Sequence, residues 1–327
     1  MKLASLKEGR DGRLIIVSRD LKKYAMASDI APTLQYAMDH WADLEKELRA
    51  RSAALENNAI ESFDFNVKEV AAPLPRAYQI ADASAYLSHV RLTRQSRGAE
   101  MPPSFEHDPL IYQAVSSTII GPTEDIPFIT EDYGIDYEAE IAVITDDVPM
   151  GVDAVTALSH IKLVMLLNDV SLRALAKEEL LKGFGFFNTK PPSSLSPVCV
   201  TLDELGDDWR DGMLHLPVTS YVNGALFGQV PGAEGMQFDF GRLIAHAAKT
   251  RPLAAGTIVG SGTVSHSDPK YGVSCIIEQR MKETLAEGQA VTPFLKFGDR
   301  VTIDMLDAKG QSVFGAIDQI IVKQKAA

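Results

Sequence analysis

From residue 77 onward the chain is a succession of short apolar runs broken by glycine- and proline-containing turns, and this texture constrains the fold most. Thr118–Gly121, Ile141–Thr145, Leu163–Leu167, Val198–Leu202, Val218–Val222, Ile258–Val264, Val301–Met305 and Ile317–Lys323 all predict strands. Helices are expected only near 153–166, 171–182 and 239–250. Many short strands with few helices predict a β-rich α+β domain rather than a βαβ array.

The first part of the chain reads differently. Lys2–Lys7, a turn through Arg10-Asp11-Gly12, and Arg13–Val17 predict a hairpin. Pro32 suits the first turn of a helix whose apolar residues, Leu34, Met38, Trp41, Leu44 and Leu48, recur at spacings of three and four. Glu45/Arg49 and Glu47/Arg51 support it as i,i+4 pairs. Pro73 and Pro75 follow, so the expected organisation is a small N-terminal domain over 1–70 and a catalytic domain over 71–327.

A net charge of −12 with scattered Lys and Arg argues against a nucleic-acid partner. It also makes any cation near a carboxylate cluster informative. Cys199 and Cys275 lie 76 positions apart with no CxxC spacing, which predicts two reduced core thiols. The longest apolar runs are too short to span a bilayer and the N-terminus forms no apolar leader, so a cytoplasmic protein without a membrane partner is expected.

The segment Ile135-Asp136-Tyr137-Glu138-Ala139-Glu140-Ile141 runs into an apolar stretch. On a strand, Glu138 and Glu140 share one face, and two like charges there repel unless a cation lies between them. Oxygen donors of this kind suit magnesium, calcium or manganese rather than zinc. The bland alternative is a solvated edge strand. Asp169 ends the apolar run Leu163–Leu167, as a ligand or as an N-cap for a helix over Ser171–Lys182. Asp82 precedes His89 by seven residues. Arg173 could pair with Glu178 or Asp169, and Lys190 could be a surface lysine.

Taken together these segments resemble the fumarylacetoacetate hydrolase family. Tyr137-Glu138-Ala139-Glu140-Ile141 resembles its Glu-x-Glu strand, and Leu167-Asn168-Asp169-Val170-Ser171-Leu172-Arg173 its Asn-Asp-x-Ser-x-Arg signature. Phe187-Asn188-Thr189-Lys190-Pro191 resembles the segment of its active-site lysine, and Gly260-Ser261-Gly262-Thr263-Val264-Ser265 its substrate-contacting turn.

The resemblance implies a mixed β-sandwich or β-roll catalytic domain with a small N-terminal α+β domain. It implies Asp82, Glu138, Glu140 and Asp169 as metal ligands, His89 as general base, and Glu278 as the carboxylate that orients it. Lys190 and Arg173 are implied as catalytic cations, with Tyr112 and Thr263 as substrate contacts. The implied activity is hydrolysis of the C–C bond in a 1,3-dicarbonyl acid, acylpyruvate- or fumarylacetoacetate-like, with a divalent cation. Mg2+ is the first choice and Ca2+ or Mn2+ the alternatives; a homodimer is implied too. Ala176 stands where animal fumarylacetoacetases carry a substrate-binding glutamine, which leaves the substrate's side chain open. The rival activities are those of a decarboxylase, hydratase or isomerase of a related keto acid; a non-catalytic ligand-binding protein is the remote alternative.

Overall fold

A computed structural model describes residues 1–95 and 100–324. The apolar runs pair into two principal sheets. The larger has 11 strands, in the order Phe63–Asp64, Lys23–Met26, Arg13–Val17, Lys2–Leu6, Cys199–Val200, Ile161–Asn168, Ala139–Thr145, Ile258–Gly260, Ile80–Ala83, Ile111–Ala114, with Ser194–Leu195 paired beside Ile161–Asn168. Its neighbours are antiparallel except for Ile258–Gly260 against Ile80–Ala83. The second sheet has five strands, Ala225–Pro231, Pro217–Val222, Arg300–Asp304, Ile317–Lys323 and Ile126–Phe128.

The strand Ala139–Thr145 is buried along its whole length and divides the core by parity. Ile141 and Val143 pack with Val218, Ile303 and Ile317 of the second sheet. Ala142 and Ile144 pack with Leu163, Met165, Trp41 and Leu48 on the opposite face. Glu140 shares the parity of Ala142 and Ile144, so its carboxylate belongs to a buried face.

The β-rich α+β expectation holds, and the N-terminal hairpin forms as read, with Leu3 opposite Ile16. Its strand Lys2–Leu6 also pairs with Cys199–Val200, so the N-terminal strands continue the large sheet. The expected single helix is divided at His40 into Leu34–Asp39 and Trp41–Glu56. Arg49 pairs with Glu45 at 2.8 Å, but Arg51 turns to Asp29, which engages its guanidinium with both oxygens at 3.0 and 2.6 Å.

Two of the three expected helices form close to their limits, Arg173–Leu181 and Phe240–Ala247. The third shrinks to Ala154–Leu158, capped by Asp153, and the chain then enters the strand Ile161–Asn168. A run buried on both faces has no period that separates helix from strand. Thr118–Gly121 contributes only a bridge from Ile120 to Ser194. Two helices escape the sequence reading, Leu87–Gln95 and Ile276–Glu287, and both matter for the site. Cys199 and Cys275 are buried free thiols. Among the described residues no helix is long and apolar enough to cross a membrane.

Candidate active and metal site

Sheet register brings three carboxylates to one place. Asp82 lies opposite Gly260 on one side and Tyr112 on the other, Gly260 lies opposite Ala142, and Glu140 lies opposite Leu167, two residues before Asp169. One oxygen each of Asp82, Glu140 and Asp169 falls within 4.8 Å of the others, and all three residues are buried. Gly260 makes room for them: a Cβ there would stand 2.1 Å from Oδ1 of Asp82 and 3.2 Å from Oε2 of Glu140. In the same turn Gly262 takes a left-handed φ of 76° beside the buried Thr263.

Oδ1 of Asp82 and both oxygens of Glu140 are buried with no hydrogen-bond partner among the described residues. Burial and then the charge of Asp169 push the Asp82 carboxyl up to about 8. Burial, then Asp82 and Asp169, hold Glu140 well above the usual carboxylate range. Burial also raises Asp169, against the opposing charge of Lys190. Unpaired buried oxygens on adjacent carboxyls are costly in protein alone. The donor set is all oxygen and fits a hard divalent cation, which would be held by these three residues.

Glu138 sits differently. Its Oε1 accepts from Nη2 of Arg173 at 2.7 Å, and its Oε2 accepts from Nζ of Lys190 at 2.5 Å and from the Ser171 hydroxyl at 3.2 Å. Burial opposes its ionisation, but Arg173 and Lys190 outweigh burial and hold it well below its ordinary value. Lys190 is 6% exposed, not a surface lysine, and it also donates to Asp169 and to Ser171. Arg173 pairs with Asp136 and Glu138 rather than with Glu178 or Asp169. Asp169 caps no helix; it accepts from the Tyr112 hydroxyl at 2.7 Å and from Ser193 at 2.9 Å. The Lys190 ammonium stands 5.3 Å from the Tyr112 ring centroid.

The unforeseen helices carry the histidine pair. His89, on Leu87–Gln95, places Nδ1 2.8 Å from Oε1 of Glu278, on Ile276–Glu287. Its Nε2 points toward the carboxylates, 4.0 Å from Oε1 of Glu138. Asp82, Glu138, Glu140, Asp169, His89, Glu278, Lys190, Arg173 and Tyr112 thus lie in one neighbourhood, with Thr263 buried in the adjoining turn. Sequence reasoning missed Asp136, Ser171 and Ser193. Asp136 continues the two-residue spacing of Glu138 and Glu140, and that alternation was the available signal.

The raised carboxyls carry a consequence for stability. An unfolded chain releases these protons in the ordinary carboxylate range, whereas the folded, metal-free protein keeps the Asp82 proton until about pH 8. Stability from this source is therefore complete below the ordinary range and is lost as pH rises toward that value. The depressed Glu138 contributes a constant amount above that range, so it does not reverse the trend. The metal-free protein is expected to melt lower at about pH 8 than at about pH 5.5, and millimolar Mg2+ or Mn2+ to narrow the gap. Equal melting temperatures in the metal-free protein would count against the cluster as described.

Residues 79–321 match the family model for the fumarylacetoacetate hydrolase C-terminal domain, and residues 1–76 that for fumarylacetoacetase N-terminal domain 2. The chain belongs to the fumarylacetoacetate hydrolase family. A Burkholderia lata relative, provisionally named a hydrolase, is 28% identical over 178 residues, covering 53% of this chain. The match spans 60% of that relative's own length. Fumarylacetoacetate hydrolase from Exiguobacterium antarcticum superposes with a TM-score of 0.68 at 16% identity, covering 99% of this chain and 100% of that one. Maleylpyruvate hydrolase from Sphingobium sp. SYK-6, solved with manganese(II) and pyruvate, gives 0.66 at 16% identity with the same coverage. A 5-carboxymethyl-2-hydroxymuconate delta-isomerase from Mycobacterium smegmatis gives 0.63 at 16% identity over 100% of both chains. At these identities the likeness is one of fold, shared by hydrolases and an isomerase.

Proposed function

We propose that this family member is a divalent-cation-dependent hydrolase that cleaves the C–C bond of an acylpyruvate- or fumarylacetoacetate-like 1,3-dicarbonyl acid. The observation that carries the reading is the His89–Glu278 pair, 2.8 Å apart, with its free ring nitrogen aimed at the carboxylates. Isomerisation and decarboxylation do not consume water, whereas hydrolysis needs a base to activate it; hydration needs one too and is separated from hydrolysis by its uncleaved product.

When bound, the cation supplies Lewis-acid polarisation of the chelating carbonyl and charge stabilisation for the departing enolate. Asp82, Glu140 and Asp169 would hold it, and Glu138 would supply the fourth oxygen donor. Because Oε2 of Glu138 lies 2.5 Å from the Lys190 ammonium, a dication at Glu138 would compete with that contact. Mg2+ is the expected ion, with Mn2+ and Ca2+ as substitutes.

His89 takes a proton from water at Nε2 while Glu278 holds the Nδ1 proton, fixing the tautomer and stabilising the imidazolium. The water oxygen bonds to the acyl carbon, the C–C bond breaks, and its electron pair leaves on the enolate, which collects a proton to become the keto acid. Lys190 and Arg173 donate to the developing oxyanion and to the substrate carboxylate. Tyr112 and Thr263 complete the substrate contacts, and the working form is a homodimer.

The deciding experiment follows fumarylacetoacetate, acylpyruvates and oxaloacetate with Mg2+ or Mn2+. Cleavage of a dicarbonyl acid into two carboxylic acids is expected. Carbon dioxide release from oxaloacetate, or double-bond migration without cleavage, in the absence of hydrolysis would overturn the reading.

A further inference from the structure

Asp136 touches neither the carboxylate cluster nor His89, yet it is fully buried, and apart from the backbone N–H of Tyr137, which it accepts at 2.9 Å, its side-chain contacts lead to the site. Its Oδ2 accepts from Nε of Arg173 at 2.8 Å, the same guanidinium that holds Glu138 at 2.7 Å. Its Oδ1 accepts the backbone N–H of Ile276 at 2.8 Å, and its Oδ2 that of Ile277 at 3.0 Å. These are the first two residues of the helix Ile276–Glu287, whose own N-cap, Cys275, makes no side-chain capping bond. A carboxylate from a different strand therefore caps that helix, supplying both the acceptor and the negative charge that a helix N-terminus favours. Glu278 is the next residue of the helix and grips His89.

The contacts form a closed ring. Glu138 is held by Arg173, Arg173 by Asp136, Asp136 by the helix N-terminus, Glu278 on that helix by His89, and Nε2 of His89 returns to within 4.0 Å of Glu138. We infer that Asp136 is a positioning residue, which fixes the His89–Glu278 pair in register with the carboxylate strand by capping the helix that carries Glu278. Without it the helix end and the guanidinium each lose their common anchor, and the base can drift from the carboxylates while the three cluster carboxylates keep their places in the sheet. The inference deepens the hydrolytic reading and, for its kinetic arm, rests on it.

Two variants test it. Asp136→Asn keeps the shape and one acceptor oxygen but removes the charge shared by Arg173 and the helix. Ile276→Pro removes one capped N–H at the first helical position; proline is tolerated there, and Cys275 before it is already extended at φ −160° and ψ 158°. In Asp136→Asn, kcat is expected to fall about 10–100-fold with KM little changed, as for other orienting partners of site residues. Manganese affinity, measured by calorimetry, should fall far less than kcat, because, of the four oxygen donors, only Glu138 is anchored through Arg173; Ile276→Pro should lose kcat in the same direction.

A readout independent of turnover is the downfield proton resonance of the His89 Nδ1–Glu278 hydrogen bond, identified by its loss in Glu278→Gln. It should shift or vanish in both variants. If the wild type hydrolyses nothing, the functional reading fails while this resonance still tests the positioning role. Wild-type kcat and an unshifted resonance in both variants would overturn the inference, as would a parallel loss of manganese affinity. Should Asp136→Asn fail to fold, Ile276→Pro alone decides by the same readouts.

Discussion

Glu140→Gln is expected to abolish divalent-cation binding and to lower turnover by roughly 10³-fold or more, since Lewis-acid and charge stabilisation are worth several kcal/mol. Both of its oxygens are buried without a hydrogen-bond partner, so nothing in the described protein takes up the charge it would carry without a cation. The stability of the metal-free variant should move the other way. A neutral amide replaces a carboxyl that burial and two neighbouring acids hold well above its ordinary range, so the metal-free variant should melt no lower than metal-free wild type at neutral pH. Added Mn2+ should then raise the wild-type melting temperature and leave the variant's unmoved. A variant that still gains stability from Mn2+ would remove Glu140 from the ligand set.

The chemistry of this chain was more legible in its sequence than the scaffold. Glu138 and Glu140 declare themselves because alternation places charge on one face of a run that is otherwise apolar, and the structure buries that face completely. Local alternation does not say which of the two faces the other carboxylates. Register across Ile80–Ala83, Ile258–Gly260 and Ala139–Thr145 decides that Glu140 meets Asp82, whereas Glu138 meets Arg173 and Lys190. These pairings join residues far apart in sequence.

The helix Ile276–Glu287 was invisible for a related reason. Its apolar start, Val273–Ile277, looks like the other strand segments, and its N-cap signal is absent locally because Asp136 supplies the cap from a distant strand. The boundary near Pro73 and Pro75 marks a change of texture, yet the hydrogen bonds of Lys2–Leu6 to Cys199–Val200 carry the sheet across it. Composition reports such a change, but not strand pairing.

His89→Ala is expected to reduce kcat by about 10²–10⁴-fold, the usual contribution of a positioned general base, while leaving Mn2+ affinity intact. The separation of these two effects follows from the geometry: His89 makes its hydrogen bond to Glu278, and its other nitrogen stands 4.0 Å from Glu138, beyond hydrogen-bond distance, so none of the four oxygen donors is held by the ring. Glu278→Gln should cost less than His89→Ala, because the imidazole survives but loses the carboxylate that fixes its tautomer and stabilises its charged form. The double variant should be no slower than His89→Ala alone, since Glu278 acts on the reaction only through the ring it holds. Measuring kcat for all four proteins of that cycle, with Mn2+ affinity by calorimetry in each, separates the alternatives. Additive losses would mean that Glu278 acts independently of His89, and normal turnover in His89→Ala would require a different base and a different reaction at this carboxylate cluster.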